Sequence, residues 1–150
     1  MKHEILIYNK TRDKIPKEFI ENLISQALNF LKIKQPVELA VLVVDKNEIK
    51  RLNKIWLNKN YTPDELSFGL NSHQKRNLPA GRQEFAKTKN KVLELGEVFI
   101  NSKKTNNKKH LTKLLIHSLL HLLGHHHEKS EVQANKMEKL EEKVSKYLNI

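Results

Sequence analysis

His117-Ser118-Leu119-Leu120-His121-Leu122-Leu123-Gly124-His125-His126-His127 is the stretch on which the reading of this chain turns. It closes an apolar run that begins at Leu111, and no Lys, Arg, Asp or Glu interrupts Leu114 to Gly124. Such a segment suits a buried helix at the centre of a core. On a helix, His117 and His121 stand one turn apart and project from one face, so their two imidazoles can grip a single metal ion. Gly124 tolerates the left-handed turn that commonly ends a helix. His127 follows that turn and can swing back as a third ligand; among the three consecutive histidines it is preferred on spacing. Three neutral nitrogens with one open position describe a catalytic zinc site rather than a closed structural one. A histidine pair on an apolar helix can also be hydrogen-bonded core, and a histidine run can be a surface that picks up metal adventitiously. The joint pattern of apolar helix, exit glycine and third histidine favours the metal site.

The spacing is that of the long zinc-protease signature H-E-x-x-H-x-x-G-x-x-H, with one departure. Where those enzymes carry the glutamate that serves as general base, this chain has Ser118. A hydroxyl cannot accept a proton at neutral pH as a carboxylate does, so peptide hydrolysis by that route is disfavoured.

Upstream of the histidine run the hydrophobic pattern alternates between strand and helix. Glu4 to Tyr8 reads as a short strand. Pro16 suits a first helical turn, and Phe19, Ile20, Leu23, Ile24, Ala27, Leu28 and Leu31 recur at helical spacing to about Lys32. Val37 to Val44 is nearly all apolar and reads as a strand covered on both faces. Asp45 with Glu48 resembles a capping box opening a helix through Ile49, Leu52, Ile55 and Trp56. Glu65 to Leu70 has the look of an edge strand, and Val92 to Asn101 resumes strand character. Downstream, Ser130 with Gln133 is a second capping-box candidate, and Val132, Met137, Leu140, Val144, Tyr147 and Leu148 form the apolar side of a last helix. The order β-α-β-α-β-β-α-α predicts an α+β fold: residues 1–150 as a single domain, a small mixed sheet of about four strands, and a zinc-protease-like histidine helix packed at its centre. The basic stretch 71–91, with few apolar anchors and Pro79-Ala80-Gly81 within it, is expected to be a flexible loop.

Charge and cysteine usage narrow the partners. Twenty-eight Lys and Arg against 17 Asp and Glu leave a formal charge of +11, which favours a polyanion, nucleic acid above all. With no cysteine, metal ligands must be nitrogen or oxygen, and disulfides are excluded. That composition fits a reducing compartment, and the expected location is cytoplasmic. The N-terminal residues carry no long apolar segment, so neither a secretory signal nor a membrane partner is expected.

These residues resemble a known family. His117-x-x-x-His121-x-x-Gly124-x-x-His127, downstream of Gly96-Glu97-Val98, is similar to the signature H-G-x-L-H-L-x-G-Y-D-H of the YbeY-type endoribonucleases, the bacterial rRNA maturation factors; Leu120 and Leu122 also match it. A second family block, P-T-D-V-L-S-F-P, is matched by Asp64, Leu66, Ser67 and Phe68, with Leu52-Asn53 and Met137 agreeing as well. The resemblance implies that His117, His121 and His127 bind one Zn2+, and through it and its water carry the catalysis. It implies that Asp64 and Ser67 line a substrate cleft beside the ion. The implied activity is metal-dependent cleavage of single-stranded RNA, in maturation of the small-subunit rRNA 3′ end and in ribosome quality control, with the ribosome as partner. The family's arginine falls on Leu57, and Lys59 is the nearby residue that could supply its charge. The signature's Gly and Tyr-Asp are replaced by Ser118 and by His125-His126. Two rival readings remain: a zinc peptidase, which Ser118 disfavours, and a non-enzymatic zinc-containing factor that binds RNA or the ribosome.

Overall fold

The computed structural model describes residues 3–69, 92–125 and 130–148. In chain order it has β1 (Glu4–Asn9), α1 (Lys17–Phe30), β2 (Val37–Val44), α2 (Lys46–Leu57), β3 (Glu65–Gly69), β4 (Leu93–Asn101), a 3-10 turn over Ser102–Lys104, α3 (Lys108–Leu122) and α4 (Glu131–Tyr147). The strands form one mixed sheet in the order β1-β2-β4-β3. β1, β2 and β4 run parallel, and β3 lies antiparallel at the edge against β4, pairing Glu65 with Ile100 and Gly69 with Gly96. The architecture is the small α+β layer fold that the pattern of apolar residues predicts.

The two faces of the sheet are covered unequally. Val37, Leu39 and Val41 of β2 join Val98 and Ile100 of β4 in a core shared with α1, α3 and α4. On the other face α2 covers a smaller patch, where Ile49 and Leu52 meet Val44 and Leu66, with Phe68 and Phe99 packed beside them. β2 is therefore fully buried on one face and half-buried at Glu38, Ala40 and Leu42 on the other, rather than equally covered. Among the described residues, the cover on this face is the single 12-residue helix α2, which packs over only part of the sheet.

Local chemistry sets the element ends. Asp45 accepts from the Glu48 N–H at 2.8 Å, as expected of a helix start. The Glu48 side chain does not close a reciprocal box: the Arg51 guanidinium binds it at 2.6 and 2.8 Å, which holds that carboxyl below its ordinary pKa. Ser130 likewise accepts from the Gln133 N–H at 3.1 Å to open α4. α1 ends at Phe30, slightly before the periodicity does, because Lys32 takes a positive φ of 57°. The 3-10 turn was not legible in the sequence; Asn101 caps it through Lys103 N–H at 3.1 Å. The 71–91 stretch lies outside the described residues.

Candidate metal centre

Among the described helices α3 has the most buried residues, and it is positioned from both ends. Asn107 accepts from the His110 N–H at 3.1 Å at its start. At its exit Gly124 N–H donates to the His121 carbonyl at 3.0 Å and His125 N–H to the Leu120 carbonyl at 2.9 Å. This is the Schellman pattern, with Gly124 at a φ of +101° where a side chain would be strained. Leu111, Leu115, Ile116, Leu119 and Leu120 bury the helix against α1, α4 and the sheet.

The remaining face carries His117 and His121. Their Nε2 atoms lie 3.1 Å apart, with ring planes 76° to one another. Behind His117, Glu141 of α4 places Oε1 2.8 Å from Nδ1, each side chain being about a third exposed at 32% and 31%. A carboxylate can only accept, so Nδ1 of His117 carries the proton, and in the neutral ring the lone pair then sits on Nε2, towards His121. That is the tautomer a metal ligand needs, held by the kind of outer carboxylate common behind ligating histidines. Two nitrogens bound to zinc at about 2.0–2.1 Å with a tetrahedral angle stand about 3.3 Å apart. The pair fits two corners of such a site. Among the described residues no group of three or more His, Cys, Asp or Glu assembles around it. His127, the third ligand expected from the sequence, lies outside the described residues, as does His126.

Ser118 points away from this pair and into the interior. It is fully buried, and its Oγ donates to Glu65 Oε2 at 2.5 Å. The contact joins α3 to the edge strand β3. Ser67 lies on the same side of β3 as Glu65, since Leu66 and Phe68 turn to the α2 face. It therefore faces α3. Asp64 is placed differently. Its carboxylate meets His110 Nε2 at 3.2 Å and Lys104 Nζ at 3.8 Å, near the start of α3 and two turns away from His117. Lys59 is exposed just beyond α2, with its N–H donating to the Asn53 carbonyl at 3.3 Å.

Glu141 and Glu65 were not singled out by the sequence. Glu141 had a usable signal: it sits four residues from Met137 and three from Val144, on the apolar side of α4, where a carboxylate needs a partner. Glu65 had none, because its partner Ser118 is distant in sequence. Glu141→Gln is expected to weaken zinc binding about 10- to 100-fold, the usual cost of losing an outer-sphere carboxylate. Competition against a chromophoric chelator measures this; an unchanged affinity would make the Glu141 contact purely structural.

A model of the family described as Endoribonuclease YbeY matches residues 6–149. The endoribonuclease YbeY of Persephonella marina is 29% identical over 147 residues, covering 95% of this chain and 90% of that protein. The one from Thermodesulfovibrio yellowstonii is 33% identical over 137 residues, covering 84% and 77%. The one from Thermoanaerobacter sp. is 31% identical over 159 residues, covering 97% and 98%. A protein of Thermotoga maritima solved in solution shares the fold with a TM-score of 0.52 at 24% identity, over 97% of this chain and 91% of that one.

Proposed function

The chain belongs to the YbeY endoribonuclease family, and from that premise we propose that it cleaves single-stranded RNA in a zinc-dependent reaction, acting in maturation of the small-subunit rRNA 3′ end and in ribosome quality control. As an endoribonuclease it is a hydrolase of phosphodiester bonds. The observation that supports zinc dependence is the His117–His121 pair, with Nε2 atoms 3.1 Å apart and Glu141 behind His117 at 2.8 Å. His117, His121 and His127 would hold the ion. When bound, it supplies Lewis acidity at neutral pH, to a water or to a phosphoryl oxygen.

The chain's own groups do the rest. Glu141 keeps the His117 proton on Nδ1, so the ligating nitrogen stays unprotonated. Ser67, on the α3-facing side of β3, is the residue we assign to the substrate strand, with Asp64 and Lys59 further out. Lys and Arg outnumber acidic residues by 28 to 17, which draws the phosphate backbone to the surface. The compartment we propose is the cytoplasm, in keeping with a chain without cysteine.

The test is a cleavage assay on single-stranded RNA with protein purified without a histidine tag, together with elemental analysis. Near-stoichiometric zinc is expected, with His126→Ala retaining more of it than His127→Ala; the reverse order would replace His127 by His126 as third ligand. Products ending in a 2′,3′-cyclic phosphate identify the RNA 2′-OH as nucleophile, and a 3′-hydroxyl with a 5′-phosphate on the other fragment identifies water. An absence of cleavage by the zinc-loaded protein would sink the activity.

A further inference from the structure

A second site lies at the other end of the sheet, and it rests on the RNA reading above. An open cleft of about 690 Å³ forms where the chain leaves β1, β2 and β4. These are the carboxyl ends of the three parallel strands, the place where open α/β sheets take ligands. The loop after β1 forms one wall and is firmly built. Asn9 Oδ1 accepts from the Thr11 N–H at 3.0 Å and the Thr11 hydroxyl at 2.7 Å, while Asn9 Nδ2 donates to the Asp13 carbonyl at 2.7 Å. Lys10 N–H donates to the Val43 carbonyl at 2.9 Å, tying the loop to β2.

The cleft is positive. Lys10, Arg12, Lys46 and Lys103 line it, against two acidic residues that already have work. Asp13 faces Lys103 Nζ at 3.6 Å, and Asp45 caps α2. α2 also opens here; Asp45 takes the Glu48 N–H, while the Lys46 and Asn47 amides of the first turn have no acceptor within the helix, which favours an anion. An independent observation comes from Ser102. It lines the same cleft, is only 2% exposed, and its buried Oγ has no hydrogen-bond partner among the described residues. Buried hydroxyls are normally paired, so this one is short of a partner that a small rearrangement around a ligand oxygen would supply.

We propose that this cleft is a phosphate subsite that holds the RNA backbone away from the scissile bond, with Arg12, Lys46 and the Ser102 hydroxyl as its donors. It is separate from the histidine pair. Ser102 precedes α3, and the helix from Lys108 to His117 alone spans about 14 Å. A phosphate bound here belongs to a nucleotide flanking the one cleaved, and the subsite would fix the direction in which the strand crosses the protein.

The experiment measures fluorescence anisotropy of a single-stranded RNA 12-mer on the zinc-loaded protein over a salt series. Arg12→Ala/Lys46→Ala is compared with Lys34→Ala/Lys139→Ala, which removes the same charge from exposed positions outside the cleft. The cleft pair is expected to lose at least tenfold in affinity and to flatten the salt dependence by about 1.4 in log–log slope, two contacts at about 0.7 each. The control pair should lose less than threefold. Ser102→Ala changes no charge and is expected to weaken binding at least threefold. Equal losses in the two pairs, or unchanged binding in Ser102→Ala, overturn the subsite in favour of diffuse attraction. If inorganic phosphate raises the melting temperature of the parent but not of the cleft pair, while RNA affinity is unaffected by the substitutions, the cleft takes free phosphate and the RNA assignment fails. Zinc content and cleavage are followed in the same samples. A protein that discriminates the pairs but does not cleave would refute the catalytic reading and leave the subsite standing.

Discussion

His121→Ala is expected to reduce RNA cleavage to background, a loss of about 10²–10³-fold or more, the scale on which removing a principal electrostatic stabiliser acts. RNA affinity in the same variant should stay within about threefold of the parent, a difference of about 0.7 kcal/mol. The two quantities separate because they reside in different parts of the molecule. On the zinc reading, affinity is spread over many lysines and arginines whereas bond breaking would depend on one ion, and His121 Nε2 lies 3.1 Å from His117 Nε2, placed to share it. Zinc content should fall with the activity. Circular dichroism and a melting curve must show the variant folded, since loss of a ligand can also remove the stabilisation that metal binding gives. A folded, zinc-free His121→Ala protein that cleaves as fast as the parent would end the zinc-enzyme reading. A zinc-containing factor that binds RNA or the ribosome would then be the better description.

The largest effect on stability should come from a residue that carries no chemistry. Gly96 sits in β4 with a φ of +128°, and a Cβ placed on it would lie 2.1 Å from the Phe68 carbonyl oxygen and 3.0 Å from Gly69 Cα. Those atoms are backbone of the paired edge strand and cannot move aside as a side-chain end would. The register between β2 and β4 also shifts here, Glu38 facing Glu94 and Leu39 facing Gly96, so that Leu95 is the extra residue of a bulge. Gly96→Ala combines an unfavourable φ with a backbone collision, and should cost about 3 kcal/mol or more. The melting temperature should fall by about 6 °C or more. Gly124→Ala is the comparison. It shares a positive φ of +101°, but among the described residues no atom lies within 4 Å of the added carbon. Its cost should be the conformational strain alone, about 1–2 kcal/mol. Equal melting shifts in the two variants would mean that the contact with Phe68 is relieved easily. Gly96→Ala should also lower cleavage, because displacing β3 carries Glu65 off Ser118 and Ser67 away from the histidine helix.

The local periods of this sequence determined its elements. The uncharged run around His117 and His121 required a buried helix, and the spacing of the two histidines put them on one face whatever the helix packs against. Asp45 and Ser130 marked helix starts, and Gly124 a helix end, because capping involves only neighbouring residues. Strand order, the bulge at Leu95 and the unequal covering of β2 were not readable, since each depends on pairing between residues far apart in the chain. The same limit divides the site. The histidine pair is an i, i+4 relation, so its shared face was visible. The carboxylate that fixes its tautomer comes from α4, 24 residues away, and the glutamate that occupies Ser118 comes from β3, 53 residues away. Asp64 shows the limit from the other side. Its place in a family block ties it to the histidine signature, while in the fold its carboxylate also meets the Lys104 ammonium and the His110 ring at the start of α3, contacts that depend on tertiary structure. The cleft at the strand ends has no sequence signature at all. Its residues come from three separate loops, and only the parallel alignment of β1, β2 and β4 sets them around one space.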